Sequence, residues 1–242
     1  MHIHTSGIIL RRFNYSDADQ ILTLLTPDLG KVDILAKGCR RIKSRFCGRV
    51  EFFYEVEFSA YSGRSFYYLD DIDLKNHRNI LDLPPESKNL LFYLAEVTHK
   101  LIQSDQQVDG IYDLLSETIY TISQHPDKQI LAFHAYLIKT LTLLGFLGSW
   151  NKCAHSDKKL DLTKNFYHSI SDGNLIADTL ATPDDIHLRT PLIKWVNYMQ
   201  QYPLSDVVKV SIDTNEEQAT WGIIDRTIKN ILNKPLNSEA FL

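Results

Sequence analysis

The sequence has little cysteine and no long hydrophobic run. Its 242 residues include three cysteines, Cys39, Cys47 and Cys153, an odd number that is too small for a disulfide framework. No segment approaches the ~18 consecutive apolar residues that a membrane span needs. The first five residues lack the basic-then-apolar order of a signal peptide. We therefore expect a cytoplasmic protein with reduced thiols and no membrane partner.

The short motifs of the common enzyme classes are also missing. No glycine-rich phosphate loop, H-E-x-x-H or G-x-S-x-G pattern occurs. Two groups of aspartates remain as candidate Mg²⁺ ligands for phosphoryl chemistry: Asp17 with Asp19, and Asp70 with Asp71 and Asp73. Such Asp-rich turns more often cap the local backbone. We predict a protein without catalytic residues or cofactor, and a metal-dependent phosphoesterase is the alternative.

Positive charge is scarce overall but concentrated at one end of the chain. The formal net charge is −4, from 26 Lys and Arg against 30 Asp and Glu. Residues 1–50 carry nine basic and four acidic side chains, a balance of +5, which leaves 17 and 26, a balance of −9, for the other 192 residues. A polyanion is therefore expected to bind the N-terminal part.

The first third of the chain alternates like β-strands. Turn signals such as Pro27-Asp28-Leu29-Gly30 separate five short strands, predicted at 8–10, 20–26, 31–37, 51–61 and 65–70. The alternation in the fourth strand predicts that five residues face inward: Phe52, Tyr54, Val56, Phe58 and Ala60. It predicts that three face outward: Glu51, Glu55 and Glu57. Five short strands separated by turns predict a small closed barrel.

After Asp71 the hydrophobic period changes from two residues to 3.6. A helix is predicted to begin at Leu83-Pro84-Pro85, and apolar spacing predicts others near 111–122, 130–144, 183–201 and 216–232. Residues 149–182 are irregular and polar. The expected fold class is therefore α+β, with an N-terminal five-stranded β-barrel followed by an α-helical domain that contains an irregular insertion.

The densest chemistry lies in residues 37–49, between the third and fourth predicted strands. This basic loop holds six cations and no acid: Lys37, Arg40, Arg41, Lys43, Arg45 and Arg49. Three further cations would extend the same positive field: Arg11, Arg12 and Lys31. Three rings offer stacking surfaces for nucleobases: Phe13, Tyr15 and Phe46. A solvated, mobile loop is the alternative interpretation of such a run.

Several of these segments resemble the RecO family of bacterial recombination mediators. They are Gly7–Arg12, Tyr15–Asp19, Leu22–Pro27, Gly30–Lys31 and, most strongly, Ala36–Arg45. Beyond about residue 60 the similarity is one of layout, with a family-like ending from Lys234 to Leu242. The resemblance implies an OB-fold nucleic-acid-binding domain at 1–78 and a helical domain at 79–242.

The resemblance also implies a function and partners. It implies a mediator of DNA repair and recombination that binds single- and double-stranded DNA and anneals complementary strands. It implies RecA loading together with RecR, and contact with the acidic C-terminal tail of single-stranded-DNA-binding protein. An OB-fold adaptor that binds RNA or protein is the alternative from another class.

Some members of the family carry a four-cysteine zinc site in the insertion, which here spans 149–182. Only Cys153 of the first C-x-x-C pair is present, and no cysteine follows Gly173. Cys153, His155 and His168 are weak candidates, because structural zinc needs four ligands in a tetrahedron and nothing in their spacing requires such a set. We expect no metal, and a degenerate zinc-finger-like insertion held by packing.

Overall fold

Five strands form the N-terminal part of the computed structural model, which describes residues 2–64, 66–76, 80–104, 106–151, 160–161 and 163–241. They are β1 (His2–Asn14), β2 (Gln20–Thr26), β3 (Gly30–Ala36), β4 (Glu55–Ser62) and β5 (Tyr67–Asn76). The pairing runs β1-β2-β3-β5-β4 and returns to β1, so the sheet closes into a barrel. All neighbours are antiparallel except β3 and β5. The predicted α+β class, with an N-terminal five-stranded OB-fold sheet, is confirmed.

Alternating apolar side chains fill the barrel, as expected when one face of each strand is buried. One residue from each strand shows the pattern: Ile9, Leu24, Ile34, Val56 and Ile72 are all buried in one cluster. Cys39, Phe46 and Val50 join the same cluster. Because these three follow β3 and precede β4, the connection between those strands is anchored in the core.

The fourth strand begins later than the alternating pattern predicts. Residues 51–54 form a turn, in which the Tyr54 N–H donates to the Glu51 carbonyl at 3.3 Å. Phe53 has a φ of 63° and is buried, while Phe52 and Tyr54 are only partly buried. The prediction that Phe52 faces inward from a strand is therefore wrong. Tyr54 does pack against the barrel cluster, but from this turn and not from a strand. The inward positions predicted within β4 itself are confirmed: Val56, Phe58 and Ala60.

Glu55 is buried, although the alternating pattern predicted that it faces outward. Its carboxylate accepts hydrogen bonds from the Tyr112 hydroxyl at 2.9 Å and the Ser116 hydroxyl at 3.3 Å. The Asn76 amide donates at 3.0 Å, and the Lys75 ammonium lies 3.6 Å away. Burial, reinforced by Glu55, raises the pKa of Tyr112. A carboxylate is tolerated inside because these donors replace water.

Two helices share a compact unit with the barrel, α1 (Pro85–Leu101) and α2 (Ile111–Gln124). The predicted start of α1 at the proline pair is confirmed, since Pro84 precedes the helix and Pro85 opens it. The same unit includes Leu236–Leu242. The unit that contains the barrel thus continues to Pro126. It includes α1 because that helix packs on β1.

The second unit, Asp127–Pro235, combines helices with a small sheet. Its helices are α3 (Gln129–Leu143), α4 (Thr190–Gln201), α5 (Leu204–Val207) and α6 (Thr214–Leu232). Its strands are β6 (Phe166–His168), β7 (Leu175–Ala177) and β8 (Ile186–Leu188), in the order β7-β6-β8. The range 149–182, predicted to be irregular, thus contains β6 and β7. Each of these strands has only three residues, which is too few to show a two-residue hydrophobic period. No helix in the described parts of the chain is both long and apolar enough for a membrane span.

Candidate nucleic-acid interface

The basic loop is a series of tight turns on a defined backbone. Four of its N–H groups each donate to the carbonyl three residues earlier, at 2.9 to 3.1 Å: those of Arg41, Ser44, Cys47 and Arg49. Cys39 and Phe46 fix it to the barrel core, and burial raises the pKa of the Cys39 thiol. The loop is thus tied to the barrel by two of its own side chains.

The connection between β1 and β2 holds the start of the basic loop. A carboxylate oxygen of Asp19 accepts the Gly38 N–H at 2.8 Å, and the Ala18 carbonyl accepts the Arg40 N–H at 3.0 Å. Gly38 has a φ of 67°, in the left-handed region that favours glycine. The exposed Arg40 guanidinium donates to the Asp17 carbonyl at 3.1 Å. Asp19, a candidate Mg²⁺ ligand from the sequence, therefore acts as a local cap.

Three cations of the basic loop, Lys37, Arg41 and Lys43, are exposed. They form no ion pair within the described residues. Together with Arg45 they line a cleft of about 510 Å³. Two ring residues on the barrel surface line the same cleft, Tyr61 and Tyr68. The cleft therefore presents free positive charge beside aromatic surface.

Two arginines at the far end of the basic loop are tied to β5. Arg45 donates to the Asp70 carbonyl, and its guanidinium lies 3.6 Å from the Asp70 carboxylate. Arg49 lies 3.1 Å from the Asp73 carboxylate. These two aspartates, candidate Mg²⁺ ligands from the sequence, lie within β5, and each pairs with an arginine. No group of three or more His, Cys, Asp or Glu side chains in the described ranges is placed to hold a metal ion.

Lys31 and Arg12 do not extend the positive surface as predicted. Lys31 is 8% exposed, its ammonium donates to the His99 carbonyl, and burial lowers its pKa. Arg12 pairs with Glu51 and is mostly covered. Arg11 is exposed, but its guanidinium lies 3.5 Å from the His99 ring at a different cavity. Each of these three cations contacts a residue far along the chain, His99 or Glu51, and therefore lies away from the cleft. The local sequence gives no indication of such contacts.

The three predicted stacking rings are placed very differently. Phe46 touches the cleft, but it is only 4% exposed, packs in the barrel core and has the Arg45 guanidinium 4.9 Å from its ring centre. It therefore offers almost no ring surface to a nucleobase, in contrast to the prediction. Phe13 and Tyr15 are each 53% exposed. The Arg11 guanidinium lies 5.8 Å from the Phe13 ring centre, and Tyr15 packs edge-on against Phe66. Base stacking on Phe13 and Tyr15 stays a prediction.

A pair of tyrosines that no sequence pattern indicated lies beside the basic loop. Tyr61 on β4 and Tyr68 on β5 are register partners, and their rings stack with centres 5.3 Å apart and planes 17° apart. The Lys37 ammonium lies 4.5 Å from the Tyr68 ring centre. The alternation of strand side chains predicts that Tyr61 and Tyr68 lie on the outer face, because their neighbours Ala60 and Leu69 face inward. Only the β4–β5 register shows that the two rings meet.

A second cavity, which we call the α1 groove, lies between α1, β1 and the C-terminal residues and measures about 560 Å³. Apolar side chains form part of its lining: Leu10, Phe92 and Ala95. Basic side chains from two elements also line it: Arg11, His99 and Lys100. The C-terminal wall consists of Asn237, Ser238 and Phe241. Glu96 lines the groove as well and pairs with Lys100, and burial lowers the pKa of His99. The groove is thus largely apolar, with the exposed Arg11 as its cation that is not paired with an acid in the described part of the chain.

Glu96 on α1 holds the C-terminal wall in place. Its carboxylate accepts the backbone N–H groups of Asn237 at 3.0 Å and Ser238 at 2.8 Å, and the Ser238 hydroxyl at 2.6 Å. Lys100 lies 2.8 Å away. Burial alone would raise the pKa of Glu96, but the bonds from Lys100, Ser238 and Asn237 outweigh it and lower the pKa to about 2.

We expect Glu96→Gln to lower the free energy of unfolding by about 2 kcal/mol at pH 7. A depressed carboxyl pKa stabilises the fold above the ordinary pKa of 4.5, and that stability is lost as the pH falls towards 2. Urea unfolding at several pH values measures the effect, with the exposed Glu86 on the same helix, changed to Gln, as control. The gap between wild type and Glu96→Gln should shrink on acidification. A gap of equal size at pH 7 and below pH 3 would contradict the role of the ionised carboxylate.

Of the weak metal candidates, Cys153 and His155 lie outside the described residues. The third, His168, is buried on β6, and its Nε2 lies 3.2 Å from the Thr227 hydroxyl. That hydroxyl donates to the Ile223 carbonyl at 2.8 Å, so His168 must donate its Nε2–H to it. Burial lowers the pKa of His168 to about 4. The ring therefore acts as a neutral packing residue.

Two protein-family profiles together match most of the chain. The profile described as "Recombination protein O N terminal" matches residues 1–78, and "Recombination protein O C terminal" matches residues 90–240. The chain belongs to the recombination protein O (RecO) family. The basic loop lies within the first of these matches, and the resemblance drawn from the sequence is confirmed.

Curated proteins named "DNA repair protein RecO" align with nearly the whole chain. The protein of Caldanaerobacter subterraneus subsp. tengcongensis is 25% identical over 241 residues, which cover 99% of this chain and 96% of that protein. The protein of Thermoanaerobacter sp. is 27% identical, with 87% and 88% covered. The protein of Dehalococcoides mccartyi is 26% identical, with 95% and 90% covered. Similarity of this extent places the chain in a RecO family of DNA repair proteins.

Proposed function

We propose that this RecO protein is a non-enzymatic DNA-binding mediator that anneals complementary single strands. The observation that carries the proposal is the cleft of the basic loop, where Lys37, Arg41 and Lys43 are exposed beside two tyrosine rings. Lysine and arginine bind phosphates whatever the base sequence. Annealing needs such sequence-blind contacts, because every pair of complementary strands must be accepted.

The charge distribution supports a mechanism for annealing. Two single strands repel each other through their phosphates, and cations on one face of the protein neutralise part of that charge. Contacts to the backbone leave the Watson–Crick edges free to pair. The acidic balance of −9 beyond residue 50 disfavours DNA elsewhere on the chain. We propose that DNA is held chiefly by the N-terminal face.

The same proposal includes protein partners. RecR, with which the protein would help load RecA, is proposed on family membership alone. For the acidic tail of single-stranded-DNA-binding protein we propose the α1 groove, because its apolar lining can accept apolar side chains and the exposed Arg11 beside it can pair with a carboxylate. The thiols of buried Cys39 and exposed Cys47 are free, which fits action in the reducing cytoplasm.

Annealing of two labelled complementary oligonucleotides, with and without single-stranded-DNA-binding protein, tests the proposal. We expect the protein to accelerate pairing, and to bind single strands with a salt slope of about −4 if six phosphates are contacted. A pair of non-complementary strands is the control and should give no signal. Binding that is absent, or that does not change with salt, would exclude this function.

Two further measurements address the alternatives. If a structured RNA competes better than single-stranded DNA, the adaptor function is favoured. Cleavage of an oligonucleotide in the presence of Mg²⁺ or Mn²⁺ would favour the phosphoesterase. We expect neither result, because three of the aspartates proposed for Mg²⁺ binding are engaged elsewhere: Asp19 caps backbone, and Asp70 and Asp73 pair with arginine.

A further inference from the structure

Outward-facing rings form a continuous strip across the barrel beside the basic loop. His2 on β1 is the register partner of Tyr61 on β4, which in turn pairs with Tyr68 on β5. The ring centres of His2 and Tyr61 are 6.0 Å apart, and those of Tyr61 and Tyr68 are 5.3 Å apart. Lys37, at the start of the basic loop, completes the strip above the Tyr68 ring. Side chains from β1, β4, β5 and the basic loop therefore lie side by side in one row across the barrel surface.

The rings of this strip are surface features rather than core residues. Tyr61 is 41% exposed, and Tyr68 is partly exposed. Their strand neighbours Ala60 and Leu69 are buried in the barrel cluster. Burial does not require an aromatic pair outside the barrel, whereas a flat exposed ring offers a stacking surface for any nucleobase.

The position of the Tyr68 ring is set by the turn that joins β4 and β5. A Cβ atom at Gly63 would overlap the Tyr68 ring and also lie 2.8 Å from the Phe66 carbonyl. The Gly63 N–H donates to that same carbonyl at 2.9 Å, which closes the turn. The absence of a side chain at Gly63 thus lets the ring lie against the turn. A stacking surface fixed before binding loses less entropy when the ligand arrives.

We propose that Tyr61, supported on one ring face by Tyr68, forms a stacking site for the bases of single-stranded DNA whose phosphates contact Lys37, Arg41 and Lys43. The inference rests on the proposed function, and it identifies where bases contact the protein. The rings and the three cations line the same cleft, so one strand can contact both. Stacking on a ring face reads no base edge, and the site therefore tolerates any sequence.

Two substitutions at Tyr61 isolate the contribution of the ring. We expect Tyr61→Ala to weaken binding of an oligothymidine by a factor between about five and about one hundred, while Tyr61→Phe, which keeps the ring, binds like the wild type. The salt slope should be the same in all three proteins, because no phosphate contact is lost. An oligonucleotide with abasic sites in place of bases should bind wild type more weakly, and should reduce the difference between wild type and Tyr61→Ala.

Fluorescence of a Tyr61→Trp variant provides an independent measurement. We expect the emission of that residue's indole to be quenched by oligothymidine but not by inorganic phosphate or by the abasic oligonucleotide. Circular dichroism and thermal unfolding verify that each variant is folded. Quenching of equal size by the abasic strand would overturn base stacking at this position.

The outcomes separate this inference from the proposed function. If the wild type binds DNA with a steep salt dependence but folded Tyr61→Ala binds equally well, the stacking site is wrong and the proposed function stands. If Tyr61→Ala loses affinity together with salt slope, the residue acts through phosphate contacts, and the inference is again wrong. If the wild type binds no oligonucleotide, both fail.

Discussion

Replacement of Lys37, Arg41 and Lys43 by alanine is expected to weaken binding of a single-stranded oligonucleotide about one hundredfold at about 0.1 M salt. Each phosphate contact on a single strand contributes about 0.7 to the slope of log affinity against log salt, so the loss of three lowers the slope by about 2. The three side chains are exposed and unpaired among the described residues. Their removal should therefore change folding stability little.

A matched variant separates a local contact from a general charge effect. Lys194, Arg226 and Lys234 are the same residue types, are exposed, and lie in the second unit. Their replacement by alanine makes the same change in net charge and should leave affinity and salt slope near the wild-type values. Fluorescence anisotropy across a salt series measures both quantities. An equal loss in the two triple variants would contradict binding at the basic loop.

Acidification from pH 6.5 to 4 is expected to lower the free energy of unfolding by about 3 kcal/mol for each of two buried histidines. Burial lowers the pKa of His134 on α3 to about 4, and also that of His168 on β6 to about 4. Both are neutral when folded, whereas the unfolded chain takes up protons near pH 6.5. Their effect is therefore absent above pH 6.5, grows as the pH falls, and is complete near pH 4.

Substitution of each histidine by phenylalanine tests this linkage through the pH profile rather than the absolute stability. Either His134→Phe or His168→Phe should remove about half of the destabilisation that the pair contributes between pH 6.5 and 4. The same substitution at His125, which is exposed, is the control and should keep the wild-type profile. Urea unfolding at closely spaced pH values gives the curves. Unchanged slopes in both buried variants would show that other groups cause the acid sensitivity.

The barrel could be predicted because its strands bury one face and expose the other. Val56, Phe58 and Ala60 obey that alternation, and so their burial was foreseen. Glu55 departs from it because its hydrogen-bond partner Tyr112 comes from α2, 57 residues along the chain. Local periodicity carries no information about such a distant donor. The same limitation hid β6 and β7, whose strands have only three residues each.

The density of positive charge in the sequence is enough to locate the basic loop. It does not show which side chains in and around the loop are exposed. Lys31 and Phe46 have the residue types of a nucleic-acid surface, yet one is satisfied by a carbonyl of α1 and the other fills the barrel. Tyr61 and Tyr68 lie on separate strands and become neighbours only through the β4–β5 register. Composition locates the charge, whereas tertiary pairing decides which side chains share the cleft.

The bond between Glu96 and the C-terminal wall has a consequence for synthesis of the chain. Glu96 leaves the ribosome 141 residues before Asn237, its partner. During that interval the barrel and α1 can fold, but the α1 groove has one side missing and its apolar lining faces water. The second unit, Asp127–Pro235, is made entirely within this interval. A nascent chain cut at residue 126 would keep every strand of the barrel and would leave this groove open.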